Sequence, residues 1–197
     1  MKGAYKMTTK KDQYETRKWQ ILNIALDQFI QYGYYGTSTR KIAEEAGISS
    51  GLMFHYFPNK QALYEALVEI GCEKMSIDDE EGSLPIESLE GLVEWFLTLM
   101  KQNDFSAKMF VFMGLVAVNA AGISERAAKL MRENDIIEKG AELIIKGQEL
   151  GEIRSGEPMA LSATFFSCIQ GIAETLVVRK NMVIPEKDWI MDIIRVK

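Results

Sequence analysis

The first part of the chain alternates between short amphipathic segments and residues that end helices. Apolar side chains repeat with the helical period at Ile21, Leu22, Ala25, Leu26 and Phe29. Gly33 follows them and can end a helix in the left-handed conformation. The pattern predicts a first helix over residues 13–32 that buries one face.

Two shorter helices are predicted directly after it. The second covers residues 39–46 and ends at Gly47, and the third covers residues 50–57 and ends at Pro58, which has no backbone N–H to donate. Two short helices joined by a turn over residues 47–49 form a helix-turn-helix motif, which the first helix supports.

The rest of the chain is also predicted to be helical. A fourth helix runs over about residues 59–75, and the stretch Ser76–Pro85, with four consecutive acids, is predicted to be a loop. Further helices are expected over about residues 86–102, 105–121, 124–150, 158–179 and 185–195. We therefore predict an all-α protein of about nine helices. In this prediction, residues 13–60 form a helix-turn-helix head and residues 76–197 form a helical body. The fourth helix connects the head to the body.

The composition indicates a globular protein and argues against disulfide, metal and membrane-spanning structures. The chain has 197 residues, 47% of them hydrophobic, which is enough for one substantial core or two small ones. Its two cysteines, Cys72 and Cys168, and its one histidine favour neither a disulfide framework nor a metal site, and no cofactor is expected. The longest uncharged stretches have 16 residues, fewer than the roughly 20 that a membrane helix needs. We expect buried helices there, no membrane partner and a cytoplasmic protein.

Charge is distributed unevenly along the chain. Residues 1–60 carry nine Lys and Arg against five acids, whereas the whole chain has a net charge of −5. The head is therefore basic and the body acidic, a layout expected when one end meets a polyanion. Chance clustering of solvated charges is the alternative that this count leaves open.

The predicted third helix has an unusual outer face. On a helical wheel, Met53 and Phe57 lie on the inner face. The residues turned away from them are Gly51, Leu52, Phe54 and His55. In a DNA major groove the apolar pair can contact thymine methyl groups, and the histidine a base edge or a phosphate. The alternative is that Leu52 or Phe54 packs on another helix of the head.

The surroundings of this helix are suited to phosphate. Thr39, Arg40, Tyr56 and Lys60 stand at helix ends, where side chains and backbone N–H groups hold phosphates.

The stretch TSTRKIAEEAGISSGLMFHYFPNKQALYEAL, residues 37–67, resembles the DNA-binding head of TetR-type transcriptional regulators. The resemblance implies DNA contacts at Thr39, Ser50, Gly51, Phe54, His55, Tyr56 and Lys60. Leu52 and Met53 are less typical of the family, which bears on base preference. The resemblance also favours repression.

The predicted helix over residues 105–121 is apolar all round, so we expect its neighbours to enclose it. Together with flanking segments it supplies aromatic and methionine side chains suited to an apolar ligand pocket. The candidate lining is Trp95, Phe96, Met109, Phe112, Met113, Phe165 and Phe166. A solid core is the alternative. Because no fixed anion or metal site is apparent, any effector is expected to be largely apolar.

Small residues recur on the predicted helix over residues 158–179. The stripe includes Ala163, Ser167 and Gly171, and lets another helix approach closely, while Gln170 can hydrogen-bond across the contact. This helix resembles the penultimate helix of the family, which forms a two-fold dimer interface with the last helix, here containing Trp189 and Ile193. Packing within the monomer is the alternative.

These features predict a ligand-responsive DNA-binding regulator. It would bind a palindromic operator in double-stranded DNA as a homodimer, and an apolar small molecule would release it. An enzyme is not expected, because the single histidine lies on the exposed third helix and no nucleophile or phosphate-loop motif occurs. The alternative is a helical protein-interaction module whose head does not bind DNA.

Overall fold

The computed structural model describes residues 9–75, 77, 83–102, 104–179 and 181–196. These residues form ten α-helices and no β-strand, which confirms the predicted all-α class. The helices are α1 (Lys10–Gly36), α2 (Thr39–Glu45), α3 (Ser50–Tyr56), α4 (Lys60–Lys74), α5 (Pro85–Gln102), α6 (Asp104–Ile123), α7 (Glu125–Glu133), α8 (Ile136–Glu149), α9 (Pro158–Val178) and α10 (Lys187–Met191). They make two compact units, Met1–Leu67 and Val68–Lys197, and α4 contributes residues to both.

Helix α1 begins at a capping box and is interrupted near its end. The Thr9 hydroxyl accepts a hydrogen bond from the Asp12 N–H, and the Asp12 carboxylate accepts one from the Thr9 N–H. Gly33 has φ 66° and ψ 177°, a conformation essentially restricted to glycine. The helical run therefore breaks where the sequence predicts an end, and one further turn follows it.

The core of the first unit comes from the apolar stripes that the sequence shows. Leu22, Leu26, Ile42 and Met53 are almost fully buried, as is Leu63 at the start of α4. These side chains hold α2 and α3 on α1.

Two elements of the second unit differ from the prediction. The helix expected over residues 124–150 is divided, because the Asp135 carboxylate accepts hydrogen bonds from the N–H groups of Ile137 and Glu138 and starts α8 anew. This division gives ten helices among the described residues. The last helix, expected over residues 185–195, is only α10, and an antiparallel bridge joins Ile153 to Arg195 after it.

The predicted acidic loop falls largely outside the described residues, which omit Ser76 and residues 78–82.

The core of the second unit is built mainly from α5, α8 and α9, with the segment around α10. Phe96, Ile144, Phe165 and Ile194 are among its fully buried side chains. Helices α6 and α9 are long and apolar enough to cross a membrane by length and composition alone. Both contribute side chains to this core, but each is buried over only part of its surface. Leu115 and Val118 of α6 are exposed, so the expectation that neighbours enclose this helix on all sides is wrong for the single chain.

Candidate functional site

The turn between α2 and α3 is set by short-range backbone chemistry. Gly47 has φ 65°, and the Ile48 N–H donates to the Ala43 carbonyl at 2.9 Å. The Ser49 hydroxyl accepts a hydrogen bond from the Leu52 N–H at 3.2 Å and caps α3. The motif predicted from the sequence is therefore formed with defined helix ends.

Helix α3 has one anchored face and one exposed face. Met53 and Phe57 are buried, as the helical wheel predicts. Leu52 is 42% exposed and Phe54 is 50% exposed, so the alternative of burial against another helix of this unit is not what the structure has. The remaining exposed residues of α3 are Ser50, Gly51 and His55. A seven-residue helix thus presents apolar and imidazole side chains outward on a rigid base.

An aromatic cluster supports the end of α3. The rings of Tyr14 and Tyr56 stack with centroids 4.6 Å apart, and the His55 imidazole lies edge-on to both, at 6.3 and 5.9 Å. Tyr14 was not predicted as a site residue. Its sequence signal is its helical phase with Ile21 on α1, seven residues later.

Arg17 is a second residue that the sequence prediction omitted. Its guanidinium donates to the Ala46 carbonyl at 3.1 Å and to the Gln20 side chain at 2.9 Å. It therefore caps the C-terminal end of α2, where free carbonyls favour a cation.

The residues predicted to contact phosphate differ in how accessible their side chains are. Arg40 is exposed on α2 and Thr39 is half-buried beside it. The Lys60 ammonium instead donates to the carbonyls of Tyr34, at 2.7 Å, and Thr37, at 3.0 Å, and lies over the Tyr34 ring. Burial lowers the pKa of Lys60. Two of its three donors therefore hold the end of α1.

Two phenols near this end of α1 are shielded from water: Tyr64 of α4 is buried and Tyr34 of α1 is half-buried. Burial, followed by the influence of Tyr34, raises the pKa of Tyr64 to about 12. Burial likewise raises the pKa of Tyr34.

The second unit contains a cavity of about 460 Å³, which lies in the usual range for small-molecule sites. The end of α4, the helices α6, α7 and α9, and the start of α8 surround it. Its larger apolar lining residues are Met75, Phe110, Met113, Met131, Ile136, Ile137, Phe166 and Ile169. Cys72 also lines it, and burial raises the pKa of that thiol.

Of the seven predicted pocket residues, Met113 and Phe166 line this cavity. Phe96 and Phe165 are packed in the core of the second unit, and Trp95 lies against that core. Met109 and Phe112 are buried on α6. Helix α6 is apolar on most sides but buried over only part of its surface. Some of its apolar residues enter the core and others line the cavity, and the periodicity of the sequence does not separate the two.

The predicted dimer residues lie mostly on accessible faces. Ser167 and Gly171 are exposed, Ala163 and Ile193 are half-buried, and Trp189 is 66% exposed. Gln170 differs, since its amide donates to Glu174 at 3.0 Å and packs against Gly114 of the same chain.

The helix-turn-helix segment also matches a family model. Residues 21–67 match the model of the bacterial regulatory proteins of the tetR family. Residues 21–67 therefore carry the helix-turn-helix segment of this family. The resemblance seen in residues 37–67 is thereby confirmed.

Relatives of the chain are named transcriptional regulators. It is 45% identical over 67 residues to the HTH-type transcriptional regulator RutR of Escherichia coli K12, a match that covers 34% of this chain and 32% of RutR. The chain thus spans about a third of the length of that relative. It is 24% identical over 159 residues to the uncharacterized HTH-type transcriptional regulator YfiR of Bacillus subtilis, covering 79% of this chain and 77% of YfiR.

A solved structure shares the fold over most of the chain. The crystal structure of AibR in complex with isovaleryl coenzyme A and operator DNA superposes with a TM-score of 0.64 at 19% identity. The superposition covers 89% of this chain and 94% of AibR. The likeness extends the shared fold from the helix-turn-helix segment to the second unit.

Proposed function

We propose that this protein is a ligand-responsive DNA-binding transcriptional regulator of the cytoplasm, acting as a repressor and performing no catalysis. The observation that carries the proposal is α3, whose buried Met53 and Phe57 fix a face on which Leu52, Phe54 and His55 are exposed. Exposed apolar side chains on a short helix are explained by a major groove with thymine methyl groups. RutR, its relative in this segment, is named a transcriptional regulator.

We further propose that the regulator binds DNA as a homodimer. The exposed Ser167, Gly171 and Trp189 of the second unit support this association. In such a dimer, the two copies of α3 are related by a two-fold axis. They match a palindromic operator whose half-sites lie about 34–36 Å apart or a multiple of that distance.

Release by a small molecule is the third part of the proposal. The cavity supports it, since it is lined by Cys72, in the last turn of α4, and by Met75, directly after this helix, and α4 begins at Lys60 in the first unit. A ligand that binds one position of α4 better than another changes DNA affinity by the same coupling free energy. The AibR structure contains both isovaleryl coenzyme A and operator DNA. A ligand that saturates the cavity and leaves operator affinity unchanged would contradict release by that ligand.

The experiment that tests DNA binding selects fragments of the source genome with the purified protein and titrates the winning duplex at two salt concentrations. We expect one palindromic site, two chains per duplex, and an affinity that falls steeply with salt as counterions are released. Weak binding that is independent of sequence would contradict the proposal and favour the protein-interaction module.

Two variants separate base reading from phosphate contact. We expect His55→Ala to change the preferred sequence, and Arg40→Gln to weaken all duplexes alike and reduce the salt slope by about one. Lys41→Gln is the matched control, because Lys41 is exposed next to Arg40 and its ammonium lies over the Tyr32 ring. Exchange of these two effects would show that the roles are assigned the wrong way round.

A further inference from the structure

The polar residues of the cavity differ in whether the protein already uses them. The Asn134 amide donates to the Leu130 carbonyl at 2.9 Å, and its oxygen accepts from Lys139 at 3.4 Å. The Asp135 carboxylate caps α8, and the Gln170 amide donates to Glu174. These three side chains already have partners within the chain.

Arg132 is the exception among the charged residues that line the cavity. It lies in the last turn of α7, its side chain is exposed, and it forms no ion pair within the described part of the chain. The other two basic residues of α7 have carboxylate partners and do not line the cavity: Arg126 pairs with Glu69 at 3.0 Å, and Lys129 with Glu133 at 3.5 Å. Arg132 therefore offers a planar fork of donors at a mainly apolar cavity.

We propose that the cavity binds an amphipathic anion, with a carboxylate at Arg132 and an apolar body among Met75, Met113 and Phe166. The inference rests on the proposed function and names the chemical class of its effector. Guanidinium and carboxylate form a charge-assisted, bidentate pair, which a neutral apolar ligand cannot supply. The effector predicted from sequence as largely apolar thus gains one anionic end.

The charges around Arg132 are compatible with an anion. Lys139 adds a second cation near the cavity, since its ammonium is bonded to Asn134 and lowers the pKa of Cys72 against the larger, raising effect of burial. The Asp135 carboxylate, which also lines the cavity, would repel an anion. Its oxygen accepts hydrogen bonds from the N–H groups of Ile137 and Glu138 at the start of α8, and these offset its negative charge. Glu69 is neutralised by Arg126.

The apolar body is recognised by side chains that adapt in shape. Three methionines, Met75, Met113 and Met131, line the cavity. Unbranched thioether chains fill irregular gaps and fit alkyl groups of different length. Burial of each further methylene contributes about 0.8 kcal/mol, which is about a fourfold gain in affinity.

The test measures binding of hexanoate, octanoate and decanoate by titration calorimetry on the full chain without DNA, with 1-decanol and decylamine as matched probes. We expect affinity to rise about fourfold per methylene and decanoate to bind at least about tenfold more tightly than decanol. We expect decylamine to bind more weakly than decanol.

Variants of Arg132 decide whether it reads the head group. We expect Arg132→Gln to remove the preference for decanoate over decanol, and Arg132→Lys to retain most of it. Lys129→Gln is the control, because Lys129 lies one turn earlier on α7 and pairs with Glu133. Equal binding of decanoate and decanol to the unaltered protein, or no binding of any carboxylate at millimolar concentration, would overturn the inference.

The two cysteines give a second readout of where the probe binds. Cys72 lines the cavity, whereas Cys168 lies on α9 and packs against the core. We expect decanoate to slow the alkylation of Cys72 by N-ethylmaleimide and to leave Cys168 unchanged. Protection of both thiols alike, or of neither, would contradict binding in this cavity.

Operator titrations separate this inference from the proposed function. A protein that binds its palindrome but shows no carboxylate preference refutes the anionic effector alone. A protein that binds decanoate through Arg132 but no palindrome refutes the DNA-binding proposal and leaves the ligand class supported.

Discussion

Lys60 illustrates why single charged residues are hard to interpret from sequence. Its position at the start of α4 suggests a phosphate contact, yet its ammonium is bonded to the carbonyls of Tyr34 and Thr37. The hydroxyl of Thr37, a buried residue, shares its one proton between the carbonyls of Gln28, at 3.0 Å, and Gly33, at 2.7 Å. Periodicity locates the backbone of a lysine but not the end of its four-carbon side chain, so the internal role was not predictable.

We predict that Lys60→Met destabilises the first unit. The change leaves two carbonyls without a charged donor, a loss of about 1–3 kcal/mol in the free energy of unfolding. Urea denaturation combined with hydrogen exchange of α1 amides measures it. Lys41→Met is the control, because the Lys41 ammonium is exposed over the Tyr32 ring and such contacts contribute at most about 1 kcal/mol. Equal losses for both variants would contradict the internal role of Lys60.

Tyr64 predicts an alkaline loss of stability. Its pKa is raised to about 12 in the folded protein, against the ordinary value of about 10. Its contribution is therefore fully present below pH 10 and is lost as the pH rises from 10 towards 12. We expect the urea midpoint of Tyr64→Phe to fall less over this interval than that of the unaltered protein. Tyr35→Phe, at an exposed ring, should fall as the unaltered protein does.

At the scale of helices, local signals located most elements correctly. Gly33, Gly47 and Pro58 stand at the breaks where the sequence places them. The division between α7 and α8 was missed although Asp135 is followed by Glu138, a typical helix start. Apolar residues at helical spacing continue on both sides of Asp135, and this spacing predicts one continuous helix although Asp135 can cap a new one.

Gly33→Ala is expected to destabilise the protein by about 1–3 kcal/mol, because φ 66° and ψ 177° lie in a region that side chains with a Cβ rarely adopt. Nothing lies within 4 Å of the added Cβ, so the effect is conformational rather than steric. Gly91→Ala, within α5 and equally uncrowded, should stabilise by about 0.5–1 kcal/mol. Thermal unfolding of both variants tests this contrast, and a stable Gly33→Ala would refute the strain.

At the scale of the whole molecule, the sequence predicted surfaces better than interiors. The exposed face of α3 was identified from the helical wheel, and the accessible positions of α9 from their stripe of small residues. The sequence left an apolar pocket and a solid core open as alternatives, and of the expected lining residues only Met113 and Phe166 line the cavity. Helices that are apolar on most sides carry no sequence signal for which side chains meet a void and which meet other side chains.

Gly171→Arg tests the proposed homodimer. Gly171 is exposed on α9, and nothing lies within 4 Å of an added Cβ, so the single chain tolerates the side chain. In a close two-fold contact, the two added arginine side chains would clash sterically and repel each other electrostatically. We expect sedimentation to show a dimer for the unaltered protein and a monomer of unchanged helix content for the variant. Gly91→Arg should remain dimeric, and a dimeric Gly171→Arg would place the interface elsewhere.

The exposed indole of Trp189 gives the protein an optical signal of its own. Indole emission moves to shorter wavelength when the ring leaves water, and Trp189 is 66% exposed in the single chain. The other two tryptophans, Trp19 and Trp95, lie on α1 and α5, outside the residues proposed for association. With both changed to phenylalanine, the emission maximum of Trp189 would report self-association without any attached dye. The maximum would move to longer wavelength as the protein is diluted to nanomolar concentrations and dimers dissociate.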